Sequence, residues 1–182
     1  MNALSPGGRI DTSRPIKPVR IAVLTISDTR DEESDTSGHV LAERVRAAGH
    51  ELVEKAICKD SVLEIREKIQ GWVASGLVEA IVTTGGTGIT GRDVTPEAVE
   101  PLFDKKLDGF SVVFHLVSYA SVGLSTLQSR ATAGIVGGVF VFCLPGSNGA
   151  VKDGWDKVIA AQLDSRHGPC NMVELMPRLL ET

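Results

Sequence analysis

The chain has 182 residues, 42% of them hydrophobic and 23% charged, with a formal net charge of −4 at pH 7. That length suits one domain with its own core, and an acidic balance without a long basic run argues against a nucleic-acid surface. An anionic small molecule stays open as a ligand, because backbone N–H groups and a metal ion bind one without basic side chains.

Residues 1–18 carry Pro6, Gly7, Gly8, Pro15 and Pro18 and no apolar h-region. They are expected to form a flexible tail rather than a signal peptide, which leaves 19–182 as the domain. Ile21–Ile26 (IAVLTI) is short, apolar and partly β-branched, and reads as a buried strand. A polar loop, Ser27–Gly38, follows. Val40, Leu41, Val45 and Ala48 then have helical spacing, and Gly49 ends the helix. Leu52–Cys58 reads as a second strand. Ser61–Glu64 is a capping-box pattern that opens a helix with Val62, Ile65, Ile69 and Trp72 on its apolar face.

Ala80–Thr84 is expected to be a third strand running into a glycine-rich loop, Gly85–Gly91. Thr95 reads as an N-cap and Pro96 as the first residue of a helix to about Phe103. Phe110–Tyr119 reads as a buried helix, Val139–Leu144 (VFVFCL) as a buried strand ending in Pro145–Gly146, and Ala150–Leu163 as the last full helix. No apolar run approaches the ~20 residues of a membrane span. Cys58, Cys143 and Cys170 have no CxxC spacing and read as reduced thiols of a cytoplasmic protein. His39, His50, His115 and His167 lack metal-ligand spacing and read as structural or solvated. Trp72 and Trp155 read as core, and Lys105–Lys106 as a solvated pair.

Strands alternating with helices predict parallel βαβ units in a three-layer α/β/α sandwich with a mostly parallel sheet. Ligands of such sheets bind beyond the carboxyl ends of the strands. Four polar loops fall there, after Ile26, Cys58, Thr84 and Leu144.

The most informative segment is Thr83–Ala98, TTGGTGITGRDVTPEA. Gly85, Gly86 and Gly88 permit positive φ and close approach, so several N–H groups can converge on one phosphate, with Thr84 and Thr87 as added donors. The bland alternative is a tight turn with no ligand. Gly86, Gly88 and Gly91 also satisfy GxGxxG, but the helix start at Thr95 lies four residues beyond Gly91, which argues against a dinucleotide site. No Gly-Lys-Ser/Thr follows, so this is not a Walker A loop. Asp60 follows the second strand and Asp93 the glycine loop after the third; if those strand ends are neighbours the two share one pocket, and two carboxylates beside phosphates suit Mg²⁺. Their alternatives are a helix-flanking charge for Asp60 and a turn residue for Asp93.

The run TTGGTG…RDVTPEA resembles the signature of the molybdopterin-binding domain of the MoaB/MogA family. TISDTR and DTSGH (Thr25–Arg30, Asp35–His39), KDS (Lys59–Ser61), TLQSRATAG (Thr126–Gly134) and LPGS (Leu144–Ser147) match in the same order. The resemblance covers about Arg20 to Glu174. DTSGH, TLQSR and QLDSRHGPCN are nearer the MoaB branch. It implies a MogA-like molybdopterin-binding fold. It also implies Mg²⁺- and ATP-dependent adenylylation of molybdopterin, with release of pyrophosphate, in molybdenum cofactor biosynthesis.

On that resemblance Asp60 and Asp93 are the catalytic, Mg²⁺-holding carboxylates. Ser27, Asp28, Asp35, Ser37, Gly38, Thr84, Gly85, Gly86, Thr87, Gly88, Arg92, Pro145, Gly146 and Ser147 border the nucleotide, although N-capping is the simpler role for one of the residues opening the first helix. Thr95, Pro96, Glu97, Ser129 and Arg130 lie toward molybdopterin. For Arg130 a surface ion pair is the alternative. The assembly implied is a trimer, or in the MoaB branch a hexamer of two trimers, with other cofactor-synthesis proteins among the implied partners and with neither nucleic acid nor membrane. A dianionic phosphate monoester, with a second pKa near ~6, needs no histidine base, and none is offered. Two other readings remain: a non-catalytic molybdopterin-binding scaffold of the same fold, and a transferase acting on another nucleotide-like substrate.

Overall fold

In Ile21–Ile26 alternate side chains enter two different cores. Ile21 and Val23 face one, Ala22, Leu24 and Ile26 the other. The same alternation in Phe140, Phe142 and Leu144 against Val139, Val141 and Cys143 makes the sheet the middle layer of three. The computed structural model describes residues 8–181. In chain order the elements are β1 (Arg9–Ile10), β2 (Arg20–Ile26), α1 (Thr36–Ala47), β3 (Glu51–Cys58), α2 (Val62–Ser75), β4 (Ala80–Thr84), α3 (Thr95–Val99), β5 (Lys105–Lys106), α4 (Asp108–Val122), β6 (Thr132–Val136), β7 (Val139–Leu144), α5 (Asn148–Gly154), α6 (Ala160–Leu163) and β8 (His167–Gly168).

The main sheet has the order β3-β2-β4-β7-β6-β5. β3, β2, β4 and β7 run parallel, and β6 and β5 are antiparallel at the edge. One core takes Leu41 and Val45 from α1, Phe110 and Phe114 from α4, and Val151, Trp155, Ile159 and Leu163 from the last helical run. The other takes Ile65, Ile69 and Trp72 from α2 and Ala98 and Val99 from α3. This is the expected α/β architecture, and both tryptophans are in its cores.

Several local expectations need correction. The strand β6 was not expected: Ala133–Gly134 at its centre lacks the β-branched and aromatic residues that mark a strand, yet all five residues are buried between β7 and β5. Lys105–Lys106 form that edge strand, and Lys106 pairs with Glu100 at 2.7 Å. Thr95 is the first helical residue rather than the N-cap, which is Val94. The last helix passes through a π-turn at Trp155–Ile159.

Of the expected tail, residues 1–7 lie outside the described residues. From Gly8 on the chain is docked. β1 pairs with β8, Asp11 N–H donates to Arg166 O at 3.0 Å, and Lys17 N–H donates to Ser165 Oγ at 2.9 Å. The partners are C-terminal, which is why the proline- and glycine-rich sequence gave no sign of them.

The expectation of a buried helix at Phe110–Tyr119 holds on one side only. Phe110, Phe114 and Val117 are buried, whereas Val112, Val113, Leu116, Tyr119 and Val122 are exposed. A 3₁₀ segment, Gly123–Gln128, extends α4, with Leu124 and Leu127 also exposed. By length and composition alone, the run Asp108–Gln128 could cross a membrane, against the expectation that no apolar run was long enough. Of its buried residues, Phe110 and Phe114 are part of the sheet core.

Candidate functional site

The four loops singled out in the sequence meet at the carboxyl ends of β2, β3, β4 and β7. Gly85 N–H donates to Leu144 O at 3.0 Å, and Thr84 Oγ1 donates to Pro145 O at 3.1 Å. Ser27 N–H donates to Cys58 O at 2.9 Å. Gly85 and Gly86 have φ of 105° and 63°, which side chains rarely adopt. The space matters as much as the angle: a Cβ on Gly86 would stand 2.9 Å from Asp60 Oδ1 and 2.3 Å from Thr95 Oγ1. The loop therefore lies directly against Asp60. Among the described residues, none accepts from the N–H groups of Gly86 or Thr87. Two clefts flank this loop. One, about 350 Å³, is lined by Gly85–Gly88, Asp93, Ser125, Gln128, Ser129, Pro145 and Gly146. The other, about 420 Å³, is lined by Thr90, Asp93, Glu97 and Arg130 among others.

Around Asp60 the charge comes from Asp28, Asp93 and Arg92. Asp60 is half-buried, and burial pushes its carboxyl above the usual range, with the negative charges of Asp28 and Asp93 acting in the same direction. Arg92 is exposed and forms a bidentate pair with Asp28 at 2.7–2.9 Å, which holds the Asp28 carboxyl below its usual value. Asp60 N–H also donates to Asp28 Oδ1 at 3.3 Å. In Asp93, burial acts upward but hydrogen bonds outweigh it. Thr90 N–H and Oγ1 donate to Oδ2 at 2.9 and 2.6 Å, and Gly88 N–H adds a further bond, so its carboxyl stays low. Asp93 is thus a turn residue that also lines both clefts. Among the described residues, no group of three His, Cys, Asp or Glu is arranged to hold a metal ion by itself. Asp60 and Asp93 are the side chains here that could hold a cation, with its remaining ligands supplied from outside the protein.

Other candidates support the site from behind. Asp35 is fully buried and caps α1: Gly38 N–H donates to Oδ1 at 2.9 Å, Thr25 Oγ1 donates to Oδ2 at 2.9 Å, and Lys55 Nζ lies 3.0 Å away. Both oxygens have partners, so Asp35 takes the capping role expected for one of the residues that open the first helix. Ser37 is equally buried and accepts from Arg30. Gly38 is buried beside them. Ser147 caps α5 by accepting from Ala150 N–H at 3.2 Å. Ser27 Oγ accepts from Arg30 N–H at 3.2 Å and shapes the first loop.

The pterin-side expectations divide in the same way. Thr95 and Pro96 are buried, and Thr95 Oγ1 donates to Gly85 O at 2.9 Å. They support the glycine loop from behind. Arg130 is not a mere surface pair. Its N–H donates to Thr87 O at 2.8 Å, its Nε to Gly88 O at 2.7 Å and its Nη2 to Asp93 O at 2.8 Å, while Nη1 pairs with Glu97. Glu97 and Ser129 remain at the cleft walls. Sequence reasoning missed Arg30, whose Nη2 donates to Gly146 O at 3.1 Å and ties the first loop to the last. It also missed Ser125 and Gln128 in the cleft wall. Arg30 stood in TISDTR and Gln128 in TLQSR, but nothing local marked them.

A family model described as "Probable molybdopterin binding domain" matches residues 22–165. The chain belongs to the MoaB/MogA family. Its sequence is 48% identical to molybdenum cofactor biosynthesis protein B of Escherichia coli K12 over 154 residues, 85% of this chain and 91% of the relative. A crystal structure of a molybdenum cofactor biosynthesis protein B superposes with a TM-score of 0.83 at 38% identity, covering 93% of this chain and all of the other. The tungsten cofactor synthesizing protein MoaB from Pyrococcus furiosus superposes with a TM-score of 0.70 at 41% identity, over 77% and 89% of the two chains. These likenesses place the chain in the MoaB branch, in keeping with DTSGH, TLQSR and QLDSRHGPCN.

Proposed function

We propose that this protein acts in molybdenum cofactor biosynthesis by transferring the adenylyl group of ATP to molybdopterin. The terminal phosphate oxygen of molybdopterin attacks the α-phosphorus of ATP, the bond to the β-phosphate bridging oxygen breaks, and pyrophosphate leaves. The observation that carries this reading is the setting of Asp60, held against Gly86 and repelled by Asp28 and Asp93, next to N–H groups without partners among the described residues. Such a site favours a cation and phosphates together. A Mg²⁺ ion held by Asp60 and Asp93 would supply charge neutralisation. The chain's own residues do the rest: Gly86 and Thr87 N–H groups orient a phosphate, Arg92 exchanges Asp28 for phosphate oxygens, Ser129 borders the acceptor's cleft and Glu97 the neighbouring one. No general base is needed for a dianionic phosphate.

Pyrophosphate release on mixing the protein with MgATP and molybdopterin tests the reading. Tight molybdopterin binding without release would establish the scaffold alternative, and release with other phosphate acceptors the broader transferase. A cytoplasmic setting is part of the same proposal. So is assembly through the exposed apolar side of α4, where Val112, Leu116, Tyr119 and Val122 form a stripe that a further copy of the chain would cover in a trimer or hexamer. A monomer by light scattering at micromolar concentration would overturn that part.

A further inference from the structure

His115 does not stand out in the sequence, where it is one histidine in an apolar helix. In the structure its ring joins α4 to the wall of the smaller cleft. Nε2 lies 3.0 Å from the carbonyl oxygen of Ser129, and Nδ1 lies 2.6 Å from Ser111 O and 3.4 Å from Ser111 Oγ. Carbonyl oxygens only accept, so both contacts are hydrogen bonds when the ring carries a proton on each nitrogen, and Nε2 then donates to Ser129 O. The contact closes a span of 14 residues.

That span includes the 3₁₀ segment Gly123–Gln128, whose Ser125 and Gln128 line the cleft together with Ser129. 3₁₀ hydrogen bonds are poorer than α-helical ones, and Leu124 and Leu127 of the segment are exposed. Its position therefore depends on its ends. One end continues α4. The other is pinned to the glycine loop by Arg130, through Thr87 O and Gly88 O. We infer that His115 is a positioning residue, which fixes the Gln128–Ser129 wall at one distance from the glycine loop and so sets the width of the acceptor's cleft. The inference rests on the reading that molybdopterin occupies this side.

The test compares His115→Leu, which removes the donor, with His115→Gln, whose amide N–H can reach the same carbonyl. Two readouts are taken: steady-state pyrophosphate release with molybdopterin and MgATP, and amide hydrogen exchange at Arg130 and Ala131. His115→Leu should raise KM for molybdopterin about tenfold, the scale of one lost hydrogen bond, with kcat and KM for ATP within about threefold of wild type. Arg130 N–H should exchange faster, and His115→Gln should restore both values. An unchanged KM in His115→Leu, or a His115→Gln variant as impaired as His115→Leu, would overturn the inference. If the wild-type protein releases no pyrophosphate, the adenylyl-transfer reading fails and hydrogen exchange decides alone. Faster exchange at Arg130 in His115→Leu, restored in His115→Gln, supports the positioning role, and unchanged exchange refutes it.

Discussion

Arg92 reaches from the glycine-rich loop to Asp28, 64 residues earlier, and the two side chains share three hydrogen bonds of 2.7–2.9 Å. The pair ties the loop after β4 to the loop after β2 beside Asp60, and it occupies a largely exposed guanidinium. A phosphate competes with Asp28 for the same planar fork of donors. Arg92→Ala should therefore lower adenylyl transfer by about ten- to a hundredfold, the range of a lost charge-assisted contact. Because an exposed pair contributes little to folding, the thermal midpoint should move by no more than about 3 °C. A large fall in midpoint with modest loss of turnover would make the pair a structural clip instead.

Asp93→Asn keeps an oxygen that can accept from Thr90 and removes the charge. Turnover should fall about a hundredfold or more, equivalent to ~3–4 kcal/mol of transition-state stabilisation. Molybdopterin affinity should change less. Pyrophosphate release, pterin affinity and thermal midpoint measured on one preparation distinguish the roles. Near-wild-type turnover with a lowered midpoint would leave Asp93 as a turn residue only.

Asp60 and Asp35 predict opposite dependences on pH. Burial and like charges raise the Asp60 carboxyl in the folded state, so the folded protein binds its proton more tightly than the unfolded chain does. Between the unfolded and folded values, stability falls as pH rises, and above the folded value the cost is constant. Asp60→Asn should thus raise the thermal midpoint at pH 7 in metal-free buffer while lowering turnover. From sequence alone, the helix-flanking position suggested a small loss of stability instead. Added Mg²⁺ should stabilise the wild type and not the variant. A midpoint lower in Asp60→Asn than in wild type would show that the repulsion is not what dominates.

For Asp35, burial acts upward, but hydrogen bonds from Gly38, Lys55 and Thr25 outweigh it and hold the carboxyl low. The stability it contributes is present above the usual aspartate value and is lost as pH falls through the lower folded value. Asp35→Ala also leaves Lys55, 10% exposed, without one of its two carboxylates. The cost should be roughly 2–4 kcal/mol at pH 7, read by chemical denaturation. The acid limb of the stability curve should flatten. A loss below about 0.5 kcal/mol would show that the loop reorganises without its cap.

Leu116→Glu places a charge in the middle of the exposed apolar side of α4, where the native residue is half exposed. If that side joins copies of the chain, the variant should be monomeric by light scattering at micromolar concentration, with its circular dichroism unchanged. An unaltered particle mass would move the interface elsewhere.

The sequence by itself determined the features that depend on neighbours a few residues away. Strand and helix periodicity in Ile21–Ile26, Ala80–Thr84, Val139–Leu144 and Ile65–Trp72 set the α/β alternation. The run of glycines after β4 marked the loop that approaches Asp60, and the family motifs located the aspartates. Tertiary structure decided what each polar side chain does, because a hydrogen bond is made to whatever the fold brings within 3 Å. Arg130 meets Gly88, 42 residues before it, and Arg30 meets Gly146, 116 residues after it. Asp28 and Asp35 are separated by only six residues in the same polar loop, yet one is bound to an exposed Arg92 at the cleft and the other is sealed under Gly38, Thr25 and Lys55. Strand β6 escaped notice for the same reason: Ala133 and Gly134 have no local strand signal, and pairing with β7 and β5 alone makes them one.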